Sequence, residues 1–285
     1  MQLTPDIEKL IDLAIMEDYS MGDATTGALI SNETIGSATV VADEGGTIAG
    51  LGLAVRIFQK MDPSLETTIL IPDGSKVTKN DRILEINGYL SSILTAERTA
   101  LNFLRKLSGV ATETSKYVDE ISHTNSRIVD TRKTTPGFRA LEKYAVRMGG
   151  GHNHRLNLSD GILIKDNHVK ILHLEGLNLT GVIQKAKSNA PHTIKVEVEV
   201  ETVEQAVESV SAGADIILLD NMSTQDMEKA VKSCLGRAVT EASGGINLKT
   251  VRSVAETGVN LISVGAITHS APNLDLSLDI DSSKN

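Results

Sequence analysis

Between Asp130 and Lys170 the chain places eight Lys and Arg residues against four Asp and Glu. That is a local balance of +4 in a protein whose formal net charge is -9. A cationic island on an acidic protein points to a small polyanionic ligand. Arg139, Lys143 and Arg147 share the helical pattern "GFRALEKYAVRM" and are expected on a solvated face. Arg132, Lys133, Arg155 and Lys165 instead end apolar runs or sit on a glycine-hinged loop, where they can converge on a ligand. His152, His154 and His168 lie in the same window. They do not read as a zinc set: no Cys or further His stands at the usual spacing, and Arg155 beside them would repel a cation.

Further chemistry follows downstream. In "KVEVEVE" the residues Glu197, Glu199 and Glu201 fall on one face of a strand and valines on the other. Asp220 ends the next apolar run, "IILLD". One carboxylate on each of two adjacent strands, Glu199 and Asp220, suits Mg²⁺, which takes few protein ligands, keeps waters and favours phosphorylated substrates. "EASGGI" and "SVGAIT" put Ser243, Gly244, Gly245 and Gly265 directly after apolar runs, where backbone N–H groups can approach an anion closely. The triplet Gly149-Gly150-Gly151 follows a helical pattern, not a strand, and there is no Gly-Lys-Ser/Thr. It is a helix stop, not a nucleotide fingerprint.

These residues need elements to hold them. Six short apolar runs, "RIVDT", "GILIK", "IKVEVEV", "DIILLD", "AVTEAS" and "NLISVG", alternate with amphipathic stretches such as Val203–Ala212, Thr224–Cys234 and Leu248–Thr257. Such repetition implies parallel strands with helical crossovers, in an open doubly wound sheet or a barrel. Polar residues at nearly every strand end favour the barrel, because there the ends meet at one mouth. Six strands make it incomplete. The first hundred or so residues read differently. Thr4 and Pro5 open a helix with an apolar stripe of Ile7, Leu10, Ile11, Ala14 and Ile15. "SATVVADEGGTIAGL" suggests two strands about a Gly-Gly turn, and "LETTILIPDGSKVTKNDRILEINGYL" three more. A helix over 92–108 buries Leu94, Leu101, Leu104 and Leu107.

Composition narrows the class. The acidic balance, the absence of Trp and only seven Phe and Tyr argue against nucleic acid as a partner. A lone cysteine, Cys234, cannot form an internal disulfide and is expected to be an inert helical thiol. No apolar run is long enough to span a bilayer and the first residues lack signal-peptide order, so no membrane partner and a cytoplasmic location are expected.

The stretches "EDYSMGDATT", "ERTALNFLRKLSGVAT", "DTRKTTPGFRALEKYAVRMGGGHNHRLNLSDGILIKDNH", "VEVEVETVEQ", "ILLDN", "EASGGI" and "VGAITHS" resemble the quinolinate phosphoribosyltransferase family over almost the whole chain. The resemblance implies an α/β fold: an N-terminal α/β open sandwich over 1–108, rejoined by the tail 269–285, and a six- or seven-stranded incomplete β/α barrel over 109–268. It implies transfer of a phosphoribosyl group from phosphoribosyl pyrophosphate to quinolinate, with Mg²⁺ and with loss of carbon dioxide, in NAD biosynthesis. It also implies a homodimer, with any larger assembly left open. Carried over, Arg132, His154 and Arg155 hold the two carboxylates of quinolinate, and Arg98 reaches the neighbouring subunit's site. Lys133 and Lys165 face both substrates and share catalysis with Glu199 and Asp220, which also serve the ribose and Mg²⁺. Ser243, Gly244, Gly245 and Gly265 hold the 5′-phosphate, and His152 receives no role. A molybdenum-associated paralogue with another acceptor, and a non-catalytic phosphoribosyl sensor, are the rival readings.

Overall fold

The computed structural model describes residues 3–281. Its strands are β1 (Ile35–Ala42), β2 (Gly46–Thr47), β3 (Glu66–Ile69), β4 (Lys76–Val77), β5 (Arg82–Tyr89), β6 (Arg127–Val129), β7 (Ile162–Ile164), β8 (Val196–Val200), β9 (Ile216–Asp220), β10 (Val239–Ser243), β11 (Leu261–Ser263) and β12 (Leu276–Asp281). The chain forms two compact units. One takes the residues up to Ser115, Thr135–Gly150 and the segment from Ala271 on; the other takes Lys116–Thr134 and Gly151–Ser270. Thr135–Gly150, which the sequence reading gives to the barrel segment 109–268, therefore packs with the first unit.

In the first unit an antiparallel sheet runs in the order β12-β1-β5-β3, so the tail strand completes a sheet begun near the N-terminus. The expected Gly-Gly hairpin does not form: β1 pairs with β12 and β5, while β2 pairs with β4. Thr4 holds the N-cap position of the helix Pro5–Tyr19 but makes no side-chain cap bond. Only Ile7 and Ile11 of that helix's stripe are buried. The helix expected over 92–108 extends over Leu90–Glu120, with Ile93, Ala96, Ala100, Leu104, Leu107 and Ala111 forming a fully buried stripe at helical spacing. Leu101 is buried beside that stripe and Leu94 is not. The helix Arg139–Met148 also departs from expectation: Lys143 is buried together with Glu142, while Arg147 stays exposed. Glu142 accepts from the Thr135 amide and hydroxyl at 3.0 and 2.7 Å, and Lys106 Nζ lies 3.6 Å from it.

The second unit is a six-stranded, all-parallel sheet in the order β6-β11-β10-β9-β8-β7. Every neighbouring pair is parallel, and the two edge strands are not joined to each other, which is the incomplete barrel. Beyond β6, His152 makes a single isolated parallel bridge to Val129. The crossover helices start where side chains can satisfy their free N–H groups. Asn178, Thr202 and Ser223 accept from the amides of Gly181, Gln205 and Asp226. Cys234 is buried at the end of the helix Thr224–Cys234, and desolvation pushes its thiol pKa up, as an inert cysteine requires. Among the described residues no helix is long and apolar enough to cross a membrane.

Candidate active site

Strand alternation selects which residues face inward. In β8 the valines 196, 198 and 200 are buried on one face and leave Glu197 and Glu199 to the other. The parallel register sets Glu199 opposite Leu218, Leu218 opposite Glu241, and Asp220 opposite Ser243. Just above the strand ends opens a cavity of about 830 Å³. Arg132, Lys133, His154, Arg155, Lys165, Glu199, Asp220, Ser243, Gly244, Gly245 and Gly265 all line it, so every expected site residue of the second unit converges.

The cationic wall is strained by its own charge. Arg155 Nη1 donates to the Gly161 carbonyl at 3.2 Å. Burial first, and then the like charge of Arg132, push its guanidinium below its ordinary pKa. Arg132 also keeps a buried Nε without a hydrogen-bond partner. Two guanidiniums that destabilise one another, one with an unused donor, are groups that a dianion would relieve.

Opposite them, Lys165 Nζ donates to Glu199 Oε2 at 2.6 Å, and Asp220 Oδ2 accepts from Asn221 Nδ2 at 2.8 Å. Each carboxylate keeps lone pairs beyond its one partner. Two such groups on adjacent strands, at a mouth open to a phosphorylated ligand, fit the donor set expected for Mg²⁺. The glycines are dictated by contact. A Cβ on Gly244 would lie 2.2 Å from Asn221 Oδ1, and Gly244 and Gly245 adopt φ of +95° and +62°. A Cβ on Gly265 would press on Lys133 Cδ at 3.2 Å. The other glycine question resolves similarly. A Cβ at Gly149 would sit 2.3 Å from the Ala111 carbonyl oxygen, and Gly150 has φ +85°.

At the floor of the cavity lies a cluster of which the expected residue set names only His154. Asp130, at the end of β6 and fully buried, accepts from the His154 amide at 2.8 Å and from Asn153 Nδ2 at 2.7 Å. His154 Nε2 lies 3.2 Å from Glu197 Oε2 and 3.5 Å from Glu241 Oε1. Burial opposes the imidazolium, but the hydrogen bond to Glu197 and the charges of Glu241 and Glu197 outweigh it and raise the ring's pKa. Geometry sets a limit on that pull. The Arg155 amide donates to His154 Nδ1 at 2.8 Å, so Nδ1 must offer a lone pair and the proton sits on Nε2. Both ring nitrogens are thus engaged within the protein, and His154 lines the cavity without a nitrogen to spare. Neither oxygen of Glu241 has a well-formed hydrogen bond: the Ser263 hydroxyl, which eases its charge only weakly, donates to the Ala242 carbonyl instead. Burial, and then the charge of Glu197, push its pKa up to about 7. One ligand atom each from His154, Glu197 and Glu241 lie within 4.8 Å, close enough to bind a metal ion, but the Arg155 charge nearby opposes a cation there.

The remaining expected residues stand elsewhere. Arg98, on the long helix of the first unit, is 56% exposed, lies 3.6 Å from Glu97, and lines a separate cavity with Leu10, Leu13 and Phe103. His168 Nδ1 accepts from the Lys165 amide at the start of the helix Asp166–Leu174. His152 acts through its backbone, exchanging bonds with Ile128 and Asp130.

A family model described as the quinolinate phosphoribosyl transferase C-terminal domain matches residues 110–279, and the corresponding N-terminal domain matches 23–108. A probable nicotinate-nucleotide pyrophosphorylase (carboxylating) from Synechocystis is 43% identical over 271 residues, covering 93% of this chain and 90% of that protein. One of the same name from Bacillus subtilis is 39% identical, covering 96% and 93%. The solved nicotinate-nucleotide pyrophosphorylase from Francisella tularensis superposes with a TM-score of 0.92 at 39% identity, covering 98% of both chains.

Proposed function

The chain belongs to the quinolinate phosphoribosyltransferase family, and from that premise we propose how its own residues divide the work. The reaction is decarboxylating phosphoribosyl transfer from phosphoribosyl pyrophosphate to quinolinate, giving nicotinate mononucleotide, pyrophosphate and carbon dioxide for NAD biosynthesis. The observation that carries the assignment of roles is the convergence on one cavity of a cationic wall, two carboxylates and two glycine loops.

Quinolinate brings two carboxylates to a second, more highly charged anion. Arg132 and Arg155 take the carboxylates as forked donors, and the unused Nε of Arg132 gains a partner. Lys133 and Lys165 supply point charges between the substrates. Ser243, Gly244, Gly245 and Gly265 hold the 5′-phosphate on their loops. The ring nitrogen attacks the anomeric carbon as pyrophosphate leaves, and Glu199 and Asp220 stabilise the positive charge that builds on the ribose. Glu199 and Asp220 would hold Mg²⁺, which would offset the negative charge of the departing pyrophosphate. The product ring nitrogen is cationic and draws in the electron pair of the adjacent C–CO₂ bond, so carbon dioxide departs and a proton takes its place. Arg98 serves a partner copy in a homodimer, and the enzyme works in the cytoplasm, where a lone buried thiol is at no disadvantage.

Purified protein supplied with both substrates should release carbon dioxide and pyrophosphate in equal amounts, and only with Mg²⁺. Pyrophosphate without carbon dioxide would assign a different acceptor.

A further inference from the structure

Arg155 has a problem that the reaction alone does not solve. Its guanidinium must stay beside that of Arg132 before any anion arrives, and the two repel. Something must hold the backbone of this loop against that repulsion. Three contacts do so in series. Asp130 Oδ1 accepts from the His154 amide at 2.8 Å. His154 Nε2 is anchored to Glu197 at 3.2 Å. His154 Nδ1 accepts from the Arg155 amide at 2.8 Å. Asp130 and Glu197 are both buried, at 0% and 4% exposure, so neither meets substrate directly, and both act through the one histidine.

We infer that Glu197 and Asp130 are positioning residues for the acceptor: Asp130 fixes the His154 backbone, and Glu197 holds the ring as its Nε2–H tautomer, so that the histidine carries the Arg155 backbone. This rests on the acceptor assignment above and deepens it. His154 then contributes to acceptor affinity by holding Arg155, not by lending a ring nitrogen to a carboxylate. The charged groups facing the ring are Glu197 from β8, Glu241 from β10 and Arg155 beside it in the chain, while Asp130 at the end of β6 bonds the His154 backbone. The carboxylates fix which nitrogen holds the proton, and the Arg155 amide denies the other nitrogen a second one. Glu241, 3.5 Å from Nε2, closes the floor of the site.

The test has two parts, and the first needs no substrate. In protein labelled with ¹⁵N at histidine, the His154 ring at pH 7 should show an unprotonated Nδ1 and a protonated Nε2. A protonated Nδ1 would overturn the clamp whatever reaction the enzyme runs. The second part is kinetic. Glu197→Ala should raise the KM for quinolinate by roughly tenfold or more, the scale of a lost charged hydrogen bond, with the KM for phosphoribosyl pyrophosphate changed less than about twofold. Glu197→Gln keeps a carbonyl oxygen for Nε2–H and should recover most of that loss. Equal rises in both KM values, an unchanged quinolinate KM, or no rescue by glutamine would each overturn the positioning role. If Glu197→Ala does not fold, the ring signals of the wild-type and glutamine proteins still decide. Failure of the wild-type protein to consume quinolinate would count against the acceptor assignment and leave the tautomer result standing.

Discussion

Arg155 and Glu241 show how differently two site residues can be read from a sequence. Arg155 announces itself, since a cation after a glycine hinge and a histidine pair has little structural reason to be there. Its fork is the expected reader of a carboxylate, and Arg155→Lys keeps the charge but not the geometry. Quinolinate binding should weaken by roughly 1.5–3 kcal/mol, measured by titration calorimetry, while the folded state is preserved. Glu197 was also legible, because alternation places it on the same face as Glu199. Glu241 was not: in "EASGGI" it reads as the approach to a glycine loop, and only the convergence of its side chain with Glu197 and His154 reveals a buried acid. That burial has a pH signature. An ordinary glutamate releases its proton near 4.5 in the unfolded chain, whereas Glu241 holds it to about 7 in the fold. Between those values the folded protein binds the proton that the unfolded chain has lost, so stability is complete below the lower value and falls as pH rises through the upper one. Glu241→Gln, which cannot ionise, should lose less thermal stability than wild type between pH 5 and pH 8. Parallel Tm curves for the two proteins would show that Glu241 is not the group responsible.

At the scale of elements, the sequence located all six strands of the second unit, because each is a short apolar run with a polar end between amphipathic stretches. Pairing in the first unit was beyond its reach. The Gly-Gly at 45–46 looks like a hairpin turn, but β1 is claimed by β12 from the far end of the chain, and a partner that distant leaves no local signal. Lys143 likewise has the spacing of a solvated face, and tertiary packing buries it. The glycine loops were legible as loops, not in their reasons. Gly244 is required twice over, by its φ of +95° and by the Asn221 side chain 2.2 Å from where a Cβ would stand. Gly244→Ala must therefore displace either the loop or Asn221, the donor to Asp220. The KM for phosphoribosyl pyrophosphate should rise by an order of magnitude or so, the scale of a displaced contact to a charged group, with a much smaller change for quinolinate. An equal effect on both substrates would place the loop's role outside phosphate binding.

Over the whole molecule, Arg98 is the residue whose position a single chain does not explain. Eleven expected site residues share one cavity, and Arg98 lines another, on the long helix of the first unit. It is more than half exposed, and its ion pair with Glu97, at 3.6 Å, is too open to give it a firm structural task. A cation held ready on an exposed helix suits a site on another copy, as the proposed homodimer requires. Chains carrying Arg98→Ala and chains carrying Arg155→Ala should each be nearly inactive alone. In a heterodimer of the two, one site combines an intact Arg155 with an intact Arg98 from its partner, and the other lacks both. Mixing, with exchange confirmed by mass spectrometry, should therefore restore one working site per heterodimer. That site should show the wild-type KM for quinolinate, because its contacts are complete. Confirmed heterodimers that stay inactive would place the action of Arg98 within its own chain.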